Sequence, residues 1–147
     1  MIKDILKAFQ AKIPQTLDKD DARIALAALM VRLARADGNY QNIEISMIDH
    51  VLVNRFGLNA SAAQSLREQA EEIEIHAPDN VRFTRIIKDS VPYEERAGVI
   101  EALWSVVLSD GHRDDEEHGF MRLITSLLGV SDRDSAFARQ RAIKAIG

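Results

Sequence analysis

The chain has 147 residues, 46% of them apolar and 29% charged, which suits one compact domain with a buried aliphatic core. It contains no cysteine, so disulfides, thiolate zinc sites and cysteine nucleophiles are excluded, and a reducing compartment such as the cytoplasm fits. Nineteen basic residues against twenty-three acidic ones give a net charge of -4, the wrong sign for a dedicated nucleic-acid binder.

Ile2, Ile5, Leu6, Phe9 and Ile13 recur at helical spacing and predict a first, short amphipathic helix that Pro14 stops. Lys3, Asp4 and Lys7 interrupt its apolar residues, so it does not read as a secretory leader. A second helix is predicted from a cap at Asp18 or Asp20 to about Ala36, ending at Asp37-Gly38. Ala25, Leu26, Ala28, Leu29, Val31, Leu33 and Ala34 cover more than one stripe of it, which predicts a central helix contacted on several sides. A third helix is expected over 42–56 with Gly57 as its stop, and a fourth over 60–75 capped by Asn59 or Ser61 and broken at His76-Ala77-Pro78. A fifth covers about 81–88. A sixth opens at Ser90-Val91-Pro92, with Pro92 in its first turn, and runs to Leu108 before Asp110-Gly111. The seventh covers 115–128 and stops at Gly129; the eighth starts at a Ser131 cap and runs to Ile146. No segment alternates with period two, and no apolar run approaches the ~20 residues that cross a bilayer. The expected fold is an all-α single-domain bundle of seven to eight helices spanning residues 1–147.

Within it the chain repeats itself. Ala36-Asp37-Gly38 followed by Glu44 matches Ser109-Asp110-Gly111 followed by Glu117. Each motif follows a long apolar helix and precedes an amphipathic one that closes on glycine, Gly57 or Gly129. The halves, about 20–58 and 92–130, predict two pseudo-symmetric helix-turn-helix units.

Two explanations compete for this motif. As local structure, Gly38 and Gly111 stop helices, Asp114 caps the following helix, and Glu117 completes a capping box. In the first copy Gln41 stands where the capping aspartate would, so Asn42 can shift the helix start by one, and Tyr40 can staple onto Ile45. Capping leaves Asp37 and Asp110 less well explained, because a carboxylate at a helix C-terminus opposes the macrodipole. The alternative is a hard divalent cation, Ca²⁺ or Mg²⁺, held by Asp37 and Glu44 and again by Asp110 and Glu117. The spacing coincides with the end of an EF-hand loop, but the earlier ligand positions hold Leu33 and Arg35, or Val106 and Leu108, so an EF-hand is not expected. The second turn gathers Asp110, Asp114, Asp115, Glu116 and Glu117 against Arg113 alone. A cation, a basic partner or plain solvation can relieve that crowding.

His112 and His118 flank the second turn and, with Asp114, form a second tier of metal candidates; the first copy has Asn39 and Ile45 there, so the repeat does not share them. His50 and His76 read as isolated surface or satisfied histidines. Ser105 and Ser109 near His112 are the nearest approach to a catalytic dyad, and no nucleophile elbow, phosphate loop or zinc-protease motif occurs. No enzyme activity and no small-molecule substrate is expected. Arg133, Arg139, Arg141 and Lys144 make the last helix basic. Its apolar face is expected from Phe137, Ala138, Ile143 and Ile146, and it docks on the acidic turn or offers charge to another protein.

An apolar helix, Ala-Asp-Gly or Ser-Asp-Gly, and a glutamate in the next helix, twice over from about Ala22 to Gly129, resembles the TerB-like family. That family includes the tellurite-resistance protein TerB and the N-terminal domain of DjlA-type co-chaperones. The resemblance implies an all-α bacterial domain in two halves, linked to tellurite and stress resistance and often near membrane-associated complexes. Its acidic positions are Asp37, Glu44, Asp110 and Glu117, with departures at Gln41 and Arg113. No J-domain signature is present, so a co-chaperone role is not carried over. The leading expectation is a non-catalytic cytoplasmic domain that binds a divalent cation and a protein partner. A metal-free adaptor is second and a metal-dependent hydrolase or redox enzyme third.

Overall fold

In the computed structural model, which describes residues 19–36, 38, 40–77, 79–109 and 115–146, the chain forms seven α-helices. They are α1 (Lys19–Arg35), α2 (Asn42–Phe56), α3 (Ala60–His76), α4 (Val81–Ser90), α5 (Tyr93–Leu108), α6 (Asp115–Leu127) and α7 (Asp132–Ile146). They correspond to the second to eighth helices expected above; the first, over 1–13, lies outside the described residues, and no strand occurs among the described ones.

α1 is the centre of the bundle. From Ile24 to Ala34 every residue but Arg32 is 6% exposed or less. A helix with one apolar stripe would leave a wet face; this one has none, because α2, α3, α4 and α5 all pack on it. Alanines at 25, 27, 28 and 34 let those neighbours approach, while Leu26, Leu29, Met30 and Leu33 fill the space between them. α5 is the second apolar axis, burying Val99, Ile100, Leu103, Trp104, Val106 and Val107. The pairings correspond across the repeat: α1 packs on α3, and α5 packs on α7.

The breaks follow local chemistry. Gly57 and Gly129 take φ of 65° and 70°, the left-handed conformation that a side chain resists. Asn59 caps α3 by accepting the Ala62 amide at 2.8 Å, and the Ser131 hydroxyl accepts the Asp134 amide at 3.1 Å to cap α7. Pro92 sits one position earlier than expected. It is the N-cap of α5, with φ -59° and ψ 153°, and its carbonyl accepts the Glu95 amide at 2.9 Å. α4 runs to Ser90, two residues past the expected Lys88.

Of the apolar face expected for the last helix, Ala138 is buried, Phe137 and Ile143 are not, and the Ile146 side chain lies outside the described residues. Ala138 and Ala142 are fully buried, whereas Phe137 and Ile143 are 46% and 43% exposed. Small residues four apart let α7 lie close against α5, and the larger apolar side chains are left at the rim. The basic residues also find partners on α5: Arg141 pairs with Glu101 at 2.6 Å, and the Arg139 guanidinium lies 5.4 Å from the Trp104 ring centroid. Among the described residues no helix is long and apolar enough to cross a membrane.

Ala138→Leu therefore overpacks the α5–α7 seam and lowers stability by about 1–3 kcal/mol in urea denaturation. Phe137→Ser, despite removing a larger apolar side chain, stays within about 0.5 kcal/mol.

Candidate functional site

The first Asp-Gly turn is carried by the end of α1 and the start of α2. Gly38 has φ 78°, and its amide donates to the Arg35 carbonyl at 2.9 Å, so the chain reverses at a residue suited to that backbone. Asp37 lies outside the described residues. Gln41 is the extended N-cap of α2, and its amide donates to a Glu44 carboxylate oxygen at 3.3 Å. The glutamate thus completes its half of a capping box, and α2 starts at Asn42 without the one-residue shift that a poorly capping glutamine would allow. Glu44 is 1% exposed, and among the described residues it is the only charged side chain buried so far.

Around this turn runs a network of ion pairs. Arg32, the residue of α1 that escapes the core, reaches the C-terminus of α3. Its Nε donates to Glu74 Oε2 at 3.1 Å, and its Nη atoms donate to the Glu74 and Ala77 carbonyls and to Asn80 Oδ1. Arg35 donates to the other Glu74 oxygen at 2.6 Å and lies over the Tyr40 ring. The Tyr40 hydroxyl donates to Glu71 Oε2 at 2.7 Å, so this side chain, expected to staple α2, is tied to α3. Arg67 joins Glu71 to Asp49 of α2 at 3.0 and 2.6 Å. Burial, and then the hydrogen bond to Glu71, push the Tyr40 hydroxyl's pKa well above its usual value. Burial pulls the Arg67 guanidinium down, but Asp49 and Glu71 outweigh it and raise it overall. The cations beside the first turn are thus already matched by carboxylates of α2 and α3.

At the second turn, Asp110, His112 and Asp114 lie outside the described residues. Glu117 is in α6 with its side chain outside them. His118 meets the Trp104 ring edge to face, with centroids 5.8 Å apart. Both line a small cavity of about 130 Å³ with Met121, Arg122, Thr125, Asp132 and Ser135. Trp104 Nε1 and Thr125 Oγ1 are buried there without a hydrogen-bond partner among the described residues. Sequence reasoning did not single out either residue, since nothing local marks a tryptophan or threonine for an unpaired polar atom. Of the primary candidates, Glu44 alone has a described side chain. No group of three or more His, Asp or Glu able to hold a metal occurs among the described residues.

The other histidines are accounted for. His50 Nε2 meets Asn54 Nδ2 at 2.9 Å, and His76 Nε2 meets Glu72 at 3.2 Å, each one turn along its own helix. The serines near the second turn bond to backbone: Ser105 donates to the Glu101 carbonyl at 3.1 Å and Ser109 to Val106 at 2.7 Å.

An all-α bundle wound around one enclosed helix, with an Asp-Gly turn leading to a buried glutamate, defines a class of small helical domain. The profile of the family described as Tellurite resistance protein TerB matches residues 23–140, and the chain belongs to that family. No curated protein matches the chain. A crystal structure of a protein of unknown function from Porphyromonas gingivalis W83 shares the fold, with a TM-score of 0.63 and 18% identity over 88% of this chain and 96% of that one.

Glu74→Gln or Arg32→Met breaks a partly buried charge-assisted cluster, and each lowers stability by about 2 kcal/mol in chemical denaturation. Tyr40 gives a test by pH. Its folded pKa is raised, so its contribution is complete below the unfolded value of about 10 and is lost as pH rises through the folded value. In a Tyr93→Phe background, which leaves one of the two tyrosines, no phenolate absorbance develops at about pH 11 until the protein is unfolded.

Proposed function

We propose that this TerB-family domain is non-catalytic and binds a divalent cation, Ca²⁺ or Mg²⁺, at its Asp-Gly turns. The occupied surface meets a protein partner in tellurite or stress resistance, in the cytoplasm. Asp37 and Glu44 supply the first pair of carboxylates; Asp110 and Glu117 supply the second, with Asp114, His112 and His118 as outer candidates. The observation that carries this reading is the burial of Glu44 to 1% at the head of α2. A carboxylate held out of water beside a glycine turn is a hard oxygen donor of the kind Ca²⁺ and Mg²⁺ take, and a cation would offset the cost of its burial.

Titration with CaCl₂ and with MgCl₂, followed by amide NMR, tests the proposal. Saturable shifts at Gly38, Gln41 and Glu44 are expected, and Asp37→Asn or Glu44→Gln weakens them at least tenfold. Asp110→Asn with Glu117→Gln removes the corresponding shifts at the second turn. Diffuse shifts that grow linearly with salt overturn cation binding and favour a metal-free adaptor.

A further inference from the structure

The largest charged irregularity away from the Asp-Gly turns is at the other end of α2. Arg55 is exposed over the residue as a whole, yet its guanidinium is laid on the backbone of α5 at Gly98. A Cβ at position 98 would stand 2.8 Å from Nη1 and 3.2 Å from Nη2. Glycine at 98 is therefore what admits this side chain between the helices. Among the described residues Arg55 has no hydrogen bond and no carboxylate within ion-pair distance, unlike Arg32, Arg35, Arg67 and Arg141. Burial pushes its pKa down, with Glu101 and Glu95 opposing from longer range. A guanidinium partly stripped of water and left without an anion is an incomplete arrangement.

Two cavities meet at Arg55 and Gly98. One, of about 590 Å³, is lined also by Arg23, Ser90, Glu94 and Glu95. Its two carboxylates, without ion pairs among the described residues, oppose an anion. The other, of about 490 Å³, is walled by Met47, Val51, Ala102 and Ala145, with His50, Asn54, Glu101 and Ser105 at its polar edge. Its one carboxylate, Glu101, is already bound to Arg141 at 2.6 Å. On this side Arg55 is the lining cation without an ion-pair partner among the described residues, next to an apolar wall, in a volume suited to a small ligand. A dianion is disfavoured, because Glu95 and Glu101 remain close enough to act on Arg55.

We propose that the cavity between α2, α5 and the end of α7 binds a small monocarboxylate with an apolar body. Its carboxylate completes Arg55, and its hydrocarbon part covers Met47, Val51 and Ala102. The planar fork of arginine suits a bidentate carboxylate. The site lies about 16 Å along α2 from Glu44, eleven residues away, and does not depend on cation binding there.

Octanoate is the probe, read by amide NMR and calorimetry on the full chain. Saturable shifts at Val51, Arg55, Gly98 and Ala102 are expected. Arg55→Gln weakens binding at least tenfold while circular dichroism and Tm hold. Gly98→Ala also weakens it, because the new Cβ displaces the guanidinium, while Tm stays level or rises as glycine leaves a helix interior. Octanol and acetate, each carrying half of the proposed chemistry, bind at least tenfold more weakly. Absence of saturable octanoate binding, or equal affinity in Arg55→Gln, overturns the site. Octanol equal to octanoate overturns the carboxylate assignment, and acetate equal to octanoate overturns the apolar one.

Discussion

The enclosure of α1 governs this molecule. A helix buried on every side from Ile24 to Ala34 needs neighbours all round, so four other helices are committed to it before any site is built. The chain must also leave that enclosure, and it does so at the C-terminal end of α1. There Arg32 and Arg35 are the first groups to reach water, and both are held by Glu74. Because Arg32 also takes the Glu74 and Ala77 carbonyls, the same guanidinium that ends the apolar run closes the C-terminus of α3. The Asp-Gly turn that follows is thus fixed from one side by an ionic clamp and from the other by the Gln41–Glu44 cap. A turn anchored at both ends can hold Glu44 out of water, where an unanchored loop would let it swing into solvent.

The same logic operates at the second axis with different means. α5 is nearly as apolar as α1, but its main partner α7 is rich in arginine. Contact is achieved through Ala138 and Ala142, and the long basic side chains reach around the seam to Glu101 and the Trp104 ring. Their alkyl stems cover apolar surface while the charges stay at the rim. The basic character of α7 is therefore absorbed largely within the fold.

Much of this was legible from sequence because the helix breaks carry their own chemistry. Gly57, Asn59, Gly129 and Ser131 each act through neighbours within four residues, and the boundaries they predict are observed to within one residue. The central position of α1 was legible for the same reason, since its excess of apolar positions is a property of one segment. What failed involved a choice between faces or partners distant in the chain. Periodicity offers Phe137 and Ile143 beside Ala138, and only the closeness of α5 decides that Ala138 and Ala142 are the ones buried. Tyr40 had a local apolar partner available, but Glu71, thirty-one residues on, holds its hydroxyl. Glu44 was visible both as a cap and as a ligand. The structure supports the cap directly, and the candidate cation site still depends on Asp37, Asp110 and Glu117, whose side chains lie outside the described residues.

The two ends of α2 show one fold handling buried charge in opposite ways. At the N-terminal end a carboxylate is withdrawn from water, but the Gln41 amide and the positive pole of the helix dipole face it. At the C-terminal end a guanidinium is drawn against a helix backbone by a glycine, and the carboxylates nearest to it are paired elsewhere or too far to bond. Local structure compensates the first charge and not the second. Among the described residues the arginine is the one left without a bonded counter-charge, although sequence motif directs attention to the glutamate. Motifs register what recurs along a chain. An unpaired charge arises from packing between segments, and at Arg55 it depends on α5 presenting a residue with no side chain.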